Sequence, residues 1–258
     1  MTMMEPVPPF TSPGHGPNSR IGIVLSHGFT GSPRSLQDWA EYLSAQGYAV
    51  RLPLLPGHGT TWQELARTPW RQWYDAVERA YDELARERTA VFAAGLSMGG
   101  ALALRLAASR PVAGVIAVNP GLTFANPAAR FAGVLRYFIR STPAIANDIR
   151  KPGMDELAYA RTPTAAVHQL GLLFADTASA LPRVTAPALV FRSAVDHVVP
   201  ESSTDLLRRR IGSAEVEVVE LGNSYHVATM DHDAELIFER SAAFIASVAG
   251  RKHAHVRA

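Results

Sequence analysis

Cysteine is absent from the 258-residue chain, which excludes disulfides, thiolate nucleophiles and Cys-ligated metals and fits a reducing compartment. Neither sign of charge dominates: 25 Lys and Arg stand against 23 Asp and Glu, a formal net charge of +2. No basic stripe interleaves with aromatic residues, so nucleic acid is not expected as a partner. No apolar stretch approaches the roughly 20 residues of a membrane-spanning helix. The opening MTMMEPVPPFTSPGHGPNS has neither a basic start nor an apolar core, so a secretory signal is not expected. No internal repeat is visible. These absences leave a soluble, cytoplasmic protein as the expectation.

What is present is ordinary for a globular chain: 47% hydrophobic and 19% charged residues, enough length for one α/β domain with a sizeable core. Short apolar runs at 21–25, 48–52, 90–94, 112–118, 188–192 and 216–221 read as strands. Helical patterns lie between them, the strongest opened by Thr68-Pro69 and carrying Trp70, Trp73, Tyr74, Val77, Tyr81 and Leu84 on one face. Thr61-Trp62-Gln63-Glu64 has capping-box spacing, and Ser32-Pro33 supplies an N-cap and a first-turn proline. This alternation predicts an α/β fold with a mostly parallel central sheet and helices on both faces. The expected organisation is a single domain over 1–258. Residues 1–19 form an irregular lead-in, about 122–181 a helical cap, and 251–258 a solvated tail. In the cap, Phe131, Val134, Leu135, Phe138 and Ile139 share one arc, with Arg130, Arg136 and Arg140 away from its centre.

The rhythm is interrupted at Gly95-Leu96-Ser97-Met98-Gly99-Gly100, where a strand stops and a helix begins at once. That is the context in which G-x-S-x-G lifts a serine oxygen above a sheet. A serine hydroxyl is a poor nucleophile at neutral pH and needs a base, itself oriented by a third group. In open α/β sheets the reacting groups collect beyond the carboxyl ends of strands. Asp196 follows the 188–192 strand and His226 the 216–221 strand, so the chain order is Ser, Asp, His. Of the other histidines, His197 adjoins Asp196 and should aim elsewhere. His168 and His232 lie in the cap and near the last helix, and His27 and His58 precede the serine. Ester cleavage also needs N–H donors for an oxyanion. Met98, directly after the serine, and Phe29, in the His27-Gly28-Phe29 turn after the first strand, are the candidates. His27 reads as a brace for that turn.

These segments resemble the α/β-hydrolases, and within them the bacterial monoacylglycerol lipase and carboxylesterase group. The similarity runs nearly end to end through His27–Pro33, Leu55–Thr60, Gly95–Gly100, Asp196–Pro200 and Asn223–Thr229. It implies an eight-stranded-type core, a Ser97–His226–Asp196 triad, Phe29 and Met98 as oxyanion donors, and no metal or organic cofactor. It also implies that Glu156, in the cap segment before Thr162-Pro163-Thr164, recognises the glycerol of a monoglyceride, and that Ile145 borders the substrate pocket. The expected partner is a small ester, with no transmembrane segment; the basic arc of the cap reads as a solvated face, with weak peripheral contact at an anionic lipid surface as the alternative. An apolar cap arc turned toward Ser97 would shelter an acyl chain. A short-chain or methyl esterase, an acyltransferase with the same triad, and a non-catalytic binding protein on this fold stay open, as does the oligomeric state.

Overall fold

The computed structural model describes residues 7–144 and 146–255, with side chains to Arg251. The first half of the chain alternates strand and helix: β1 (Phe10–Ser12), β2 (Ile21–Ser26), α1 (Gln37–Ala45), β3 (Ala49–Leu52), α2 (Trp62–Leu65), α3 (Trp70–Ala85), β4 (Ala90–Leu96), α4 (Met98–Ala107) and β5 (Val115–Val118). An insertion follows, with α5 (Ala132–Leu135), β6 (Ser141–Pro143), β7 (Arg161–Pro163) and α6 (Thr164–Ala180). Alternation resumes with β8 (Ala188–Ser193), α7 (Glu201–Arg210), β9 (Val216–Leu221) and α8 (Ala234–His255). The expected start signals operate. The Ser32 hydroxyl accepts from the Arg34 N–H at 3.3 Å ahead of α1, and Thr61 Oγ1 accepts from the Glu64 N–H at 3.3 Å to cap α2.

Among the described residues seven strands form the main sheet in the order β1-β3-β2-β4-β5-β8-β9, parallel throughout except for β1. Side chains alternate between two buried faces, as the two-residue period of a strand requires. Ile23, Leu25, Phe92 and Phe191 pack with Trp39 and Leu43 of α1 and Ile237 and Ile245 of α8. Val24, Ala93 and Val190 pack with Trp73 and Val77 of α3, Leu102 of α4 and Leu207 of α7. The chain steps from β2 to β3 on one side, then crosses back to β4 on the other. The carboxyl ends of β2 and β4 are therefore the topological switch point, held in register from Ile21↔Ala90 to Ser26↔Gly95. Clefts for ligands form there in open α/β sheets.

Four expectations need correcting. Among the described residues the main sheet has seven strands where an eight-stranded type was expected. The lead-in is regular in part: Phe10–Ser12 pairs antiparallel with β3, Phe10 opposite Leu52. A three-residue strand carries too little alternation to be read locally; its partner edge creates it. In the cap, β6 and β7 form a small antiparallel ribbon, Ser141 opposite Pro163, where only helix was expected. Helix α8 continues to His255 through the start of the expected tail, whose residues 256–258 lie outside the described residues.

The apolar arc of the cap faces away from the core. Phe131, Val134, Tyr137 and Phe138 are 65%, 62%, 74% and 80% exposed. The reason is steric. Residues 127–131 form a 3-10 turn and α5 adds one further turn. The small residues meet α6: Ala132 is buried, and a Cβ on Gly133 would lie 3.1 Å from the His168 ring. Large side chains on the same turns are left outside. Beneath them α6 packs on α4 through Leu170, Leu173 and Phe174, and Arg105 of α4 pairs with Asp176 of α6. Among the described residues no helix is long and apolar enough to cross a membrane.

Candidate active site

Ser97 stands between β4 and α4 with φ +57° and ψ −117°, a region that costs a non-glycine residue of order 1–3 kcal/mol. The packing around the turn demands this conformation. A Cβ on Gly99 would collide with the Ser26 carbonyl of β2, and one on Gly95 with the Gly99 backbone. The turn is pinned by the Ser97 N–H on the Val118 carbonyl at 2.9 Å, and by the Ser97 carbonyl accepting from Ala101 and Gly121 at 3.1 and 3.2 Å. Gly28 comes so near that a Cβ there would be 3.7 Å from the Ser97 Cβ. The Met98 N–H, first in α4, and the Phe29 N–H have no protein acceptor among the described residues.

Asp196 and His226 arrive on the loops after β8 and β9. The His226 Nδ1–H donates to Asp196 Oδ2 at 2.8 Å, and both side chains are buried. Asp196 Oδ1 accepts from the Val198 and Val199 N–H groups at 2.9 and 2.8 Å. Burial opposes the charge on Asp196, but the hydrogen bond and charge of His226 with these two N–H groups outweigh it and hold the carboxyl below its ordinary value. Burial likewise opposes an imidazolium at His226. The Asp196 hydrogen bond and charge, helped by Glu156 and Asp148, outweigh it and raise the ring above 6.5. With Nδ1 committed to Asp196, Nε2 is the nitrogen free for proton transfer.

Ser97 and His226 line one cavity of about 360 Å³ together with Phe29. The Ser97 hydroxyl has no hydrogen-bond partner within 3.5 Å among the described residues; such contacts commonly tighten only when substrate is bound. The cavity walls are apolar, with Phe124, Val167, Leu170, Phe174, Val198 and Val199, and Phe124 packs on Phe174 at 5.1 Å between ring centroids. Glu156 lies at its polar side. Glu156 Oε1 accepts from the Asn147 N–H at 2.8 Å, while Asn147 Oδ1 accepts from the Glu156 N–H at 2.9 Å. Burial raises the Glu156 carboxyl above its ordinary value, against the Asn147 N–H and the His226 charge. Ile145 lies outside the described residues. Among the described residues no three His, Asp or Glu side chains are placed to ligate a metal.

His27 and His197 are engaged with other partners. His27 Nδ1–H donates to the Gly28 carbonyl at 2.9 Å and Nε2 accepts from the Leu55 N–H at 3.1 Å. Burial lowers this ring to about 4, only partly offset by the Gly28 bond. A neutral ring with both nitrogens engaged braces the loop carrying Phe29. His197 turns to Asp148, Nδ1 to Oδ1 at 2.7 Å.

Three residues of the site carried no signal in the sequence. Asn119, buried at the end of β5, donates to the His226 carbonyl at 2.8 Å and accepts from the Ser193 N–H at 2.8 Å. Asp231 accepts from four main-chain N–H groups: Arg150, Lys151, Tyr225 and His232, at 2.7–2.9 Å. Asp148 joins the loops of Asp196 and His226. Each is an ordinary polar residue in a loop with at least one partner distant in the chain: Ser193 and His226 for Asn119, His197 and His226 for Asp148, Arg150 and Lys151 for Asp231.

Residues 23–240 match the model of the alpha/beta hydrolase family. The chain is 41% identical over 254 residues to a thermostable monoacylglycerol lipase of Bacillus sp. (strain H-257), covering 97% of this chain and all of that one. A solved structure from LipS and LipT, two metagenome-derived lipolytic enzymes, superposes with TM-score 0.90 at 40% identity over 95% of this chain and all of the other. The Paleococcus ferrophilus monoacylglycerol lipase shares the fold, with TM-score 0.75 at 20% identity over 88% of this chain and 94% of its own.

The electrostatics set a pH dependence. Because the ring of His226 is raised above 6.5, turnover that needs it neutral should rise with an acid-side midpoint above 6.5 in a kcat/KM profile, which reports the free protein. A midpoint below 6.5 contradicts this.

Proposed function

The chain belongs to the alpha/beta hydrolase family, and from that premise we propose that it hydrolyses monoacylglycerols through an acyl-enzyme on Ser97. It is a carboxylic-ester hydrolase. In our reading the Ser97 oxygen attacks the ester carbonyl carbon while His226 Nε2 takes the hydroxyl proton. The Phe29 and Met98 N–H groups hold the resulting oxyanion, in a site where low dielectric strengthens each bond. His226 then returns the proton to the departing glycerol oxygen, and the carbon–oxygen bond breaks to leave the acyl-enzyme. A water, deprotonated by the same ring, attacks the acyl carbon; the Ser97 oxygen–acyl bond then breaks as the ring returns the proton to Ser97, and the fatty acid is released. Asp196 holds the ring tautomer and balances its transient charge. The observation that carries this reading is the buried Asp196–His226 pair opening, beside Ser97, onto one apolar cavity.

The same cavity supports the choice of substrate. Its apolar walls suit an acyl chain, and Glu156 adds an acceptor for glycerol hydroxyls: Oε1 is held by Asn147, leaving Oε2 for the ligand. We further propose that the cap meets anionic lipid surfaces from which such substrates are drawn. Support comes from the exposed Phe131, Val134, Tyr137 and Phe138 with Arg130, Arg136 and Arg140 between and beside them, in a stretch from 125 to 147 free of Asp and Glu. Basic residues at such a surface are worth about 1 kcal/mol each.

Ser97→Ala should abolish turnover of a soluble ester, by at least about a thousandfold, with an unchanged circular dichroism spectrum; near-native hydrolysis sinks the mechanism. Across a panel of glycerol and methyl esters, Glu156→Gln should lower kcat/KM selectively for the glycerol esters. An unaltered preference removes Glu156 from head-group recognition. Co-sedimentation with phosphatidylglycerol vesicles should weaken in the double variant Phe131→Ser/Phe138→Ser and in high salt, while soluble-ester turnover holds. Equal sedimentation of both proteins rules out this face of the cap.

A further inference from the structure

Between β6 and β7 in the chain runs a strap, residues 146–156, whose Asp148 and Glu156 line the cavity. Asp148 on this strap engages the loops of both Asp196 and His226. Its Oδ2 accepts from the His226 N–H and the His197 N–H, each at 3.2 Å. Its Oδ1 meets His197 Nδ1 at 2.7 Å, and its carbonyl accepts from the Val227 N–H at 3.1 Å. The Asp148 side chain is only 13% exposed, and its bond to the His226 N–H lies in the partly buried part of the site, where an unpaired N–H is costly. The strap is tied at two more points. Arg150 and Lys151 N–H groups bind Asp231, and Asn147, in the left-handed region at φ +57°, exchanges two bonds with Glu156.

We propose that Asp148 is a positioning residue for ester hydrolysis: its carboxylate clamps the main chain of His226 against the Asp196 loop, so the imaging of the ring onto Ser97 depends on the cap strap as well as on the sheet. This rests on the Ser97–His226–Asp196 reading above. A carboxylate suits the task because it offers several acceptor sites and no donor, while every main-chain partner here is a donor. Charge also makes these bonds stronger than those of a neutral amide. The clamp further places a fixed negative charge near the base. The groups facing His226 are Asp196 from the β8 loop and Asp148 and Glu156 from the strap. His197 sits on Asp148, and Asp231 and Asp233 bind the Tyr225 and Asn223 N–H groups of the same loop.

The test compares the native protein with Asp148→Ala and Asp148→Asn on a soluble short-chain ester, with thermal unfolding measured in parallel. Asp148→Ala should lower kcat by about ten- to a hundredfold, the scale of a slightly misplaced catalytic group, with KM changed by less than about twofold. Asp148→Asn, which keeps one acceptor oxygen, should recover part of kcat. Both variants should move the acid-side midpoint of kcat/KM to lower pH, because a charge that favours the imidazolium is gone. Native kcat and an unmoved profile in both folded variants overturn the proposal. So does a loss of kcat that follows the unfolded fraction with no pH displacement. Ser97→Ala separates the two readings: if it stays active the triad reading fails, and if it is inactive while both Asp148 variants behave as native, only the clamp fails.

Discussion

The close approach of three backbones at one turn is the constraint on which the rest of this structure depends. Strand β2, strand β4 and helix α4 meet where Gly95 and Gly99 leave no room for a Cβ, and that contact forces Ser97 to φ +57°. The strain, of order 1–3 kcal/mol for a non-glycine residue, persists because the sheet register and the bonds to Val118, Ala101 and Gly121 over-determine the turn. The same contact brings the end of β2 beside the serine, with Gly28 in van der Waals range. A proposed nucleophile and two uncommitted N–H groups thus share one small region without any side chain having to reach for it.

Around that rigid turn the electrostatics are arranged by main-chain donors. Two carboxylates, Asp196 and Asp148, lie in or against the loops near the cavity, and Asp231 lies behind them. Asp196 is satisfied by the backbone N–H groups of its own loop, while Asp148 and Asp231 draw main-chain donors from segments remote in the chain. A buried carboxylate without such partners would sooner take a proton than keep its charge. Here the hydrogen bond and charge of His226, with the Val199 and Val198 N–H groups, hold the Asp196 carboxyl below its ordinary value against its burial, and Asp196 in turn raises the ring of His226. Asn119 supplies the complementary contact from the other side, holding the His226 carbonyl. His226, the proposed base, is therefore gripped at its ring, its N–H and its carbonyl.

The cap divides its apolar residues by size. Ala132 and Gly133 let the turn of α5 approach α6, and Phe124, Leu170 and Phe174 make the walls of the cavity below. The large side chains of the same turns stand in solvent beside arginines. An amphiphilic ester brings a similar division of its own, and a cap apolar on both its inner and outer surfaces suits transfer of an acyl chain from a lipid surface into the cavity, as proposed above.

Local pattern was sufficient for much of this protein. The continuous apolar runs of β2, β4, β5 and β8 announce a sheet buried on both faces, because only such strands can be apolar at every position. The glycines around Ser97, and the order of Ser97, Asp196 and His226 after successive strands, announce the elements of the site. The pairing of His226 with Asp196 at 2.8 Å agrees with that order. Tertiary structure alone decided what depends on partners. Strand β1 exists because the β3 edge is there to pair with. The apolar arc of the cap turned outward because small residues, not large ones, fit against α6. The roles of Asn119 and Asp148 arise from N–H and C=O groups supplied by remote loops, and Asp231 joins its own loop to the N–H groups of Arg150 and Lys151. Periodicity and spacing encode which face of an element is apolar, but not which element it will meet, and the clamp on His226 is made entirely of such meetings.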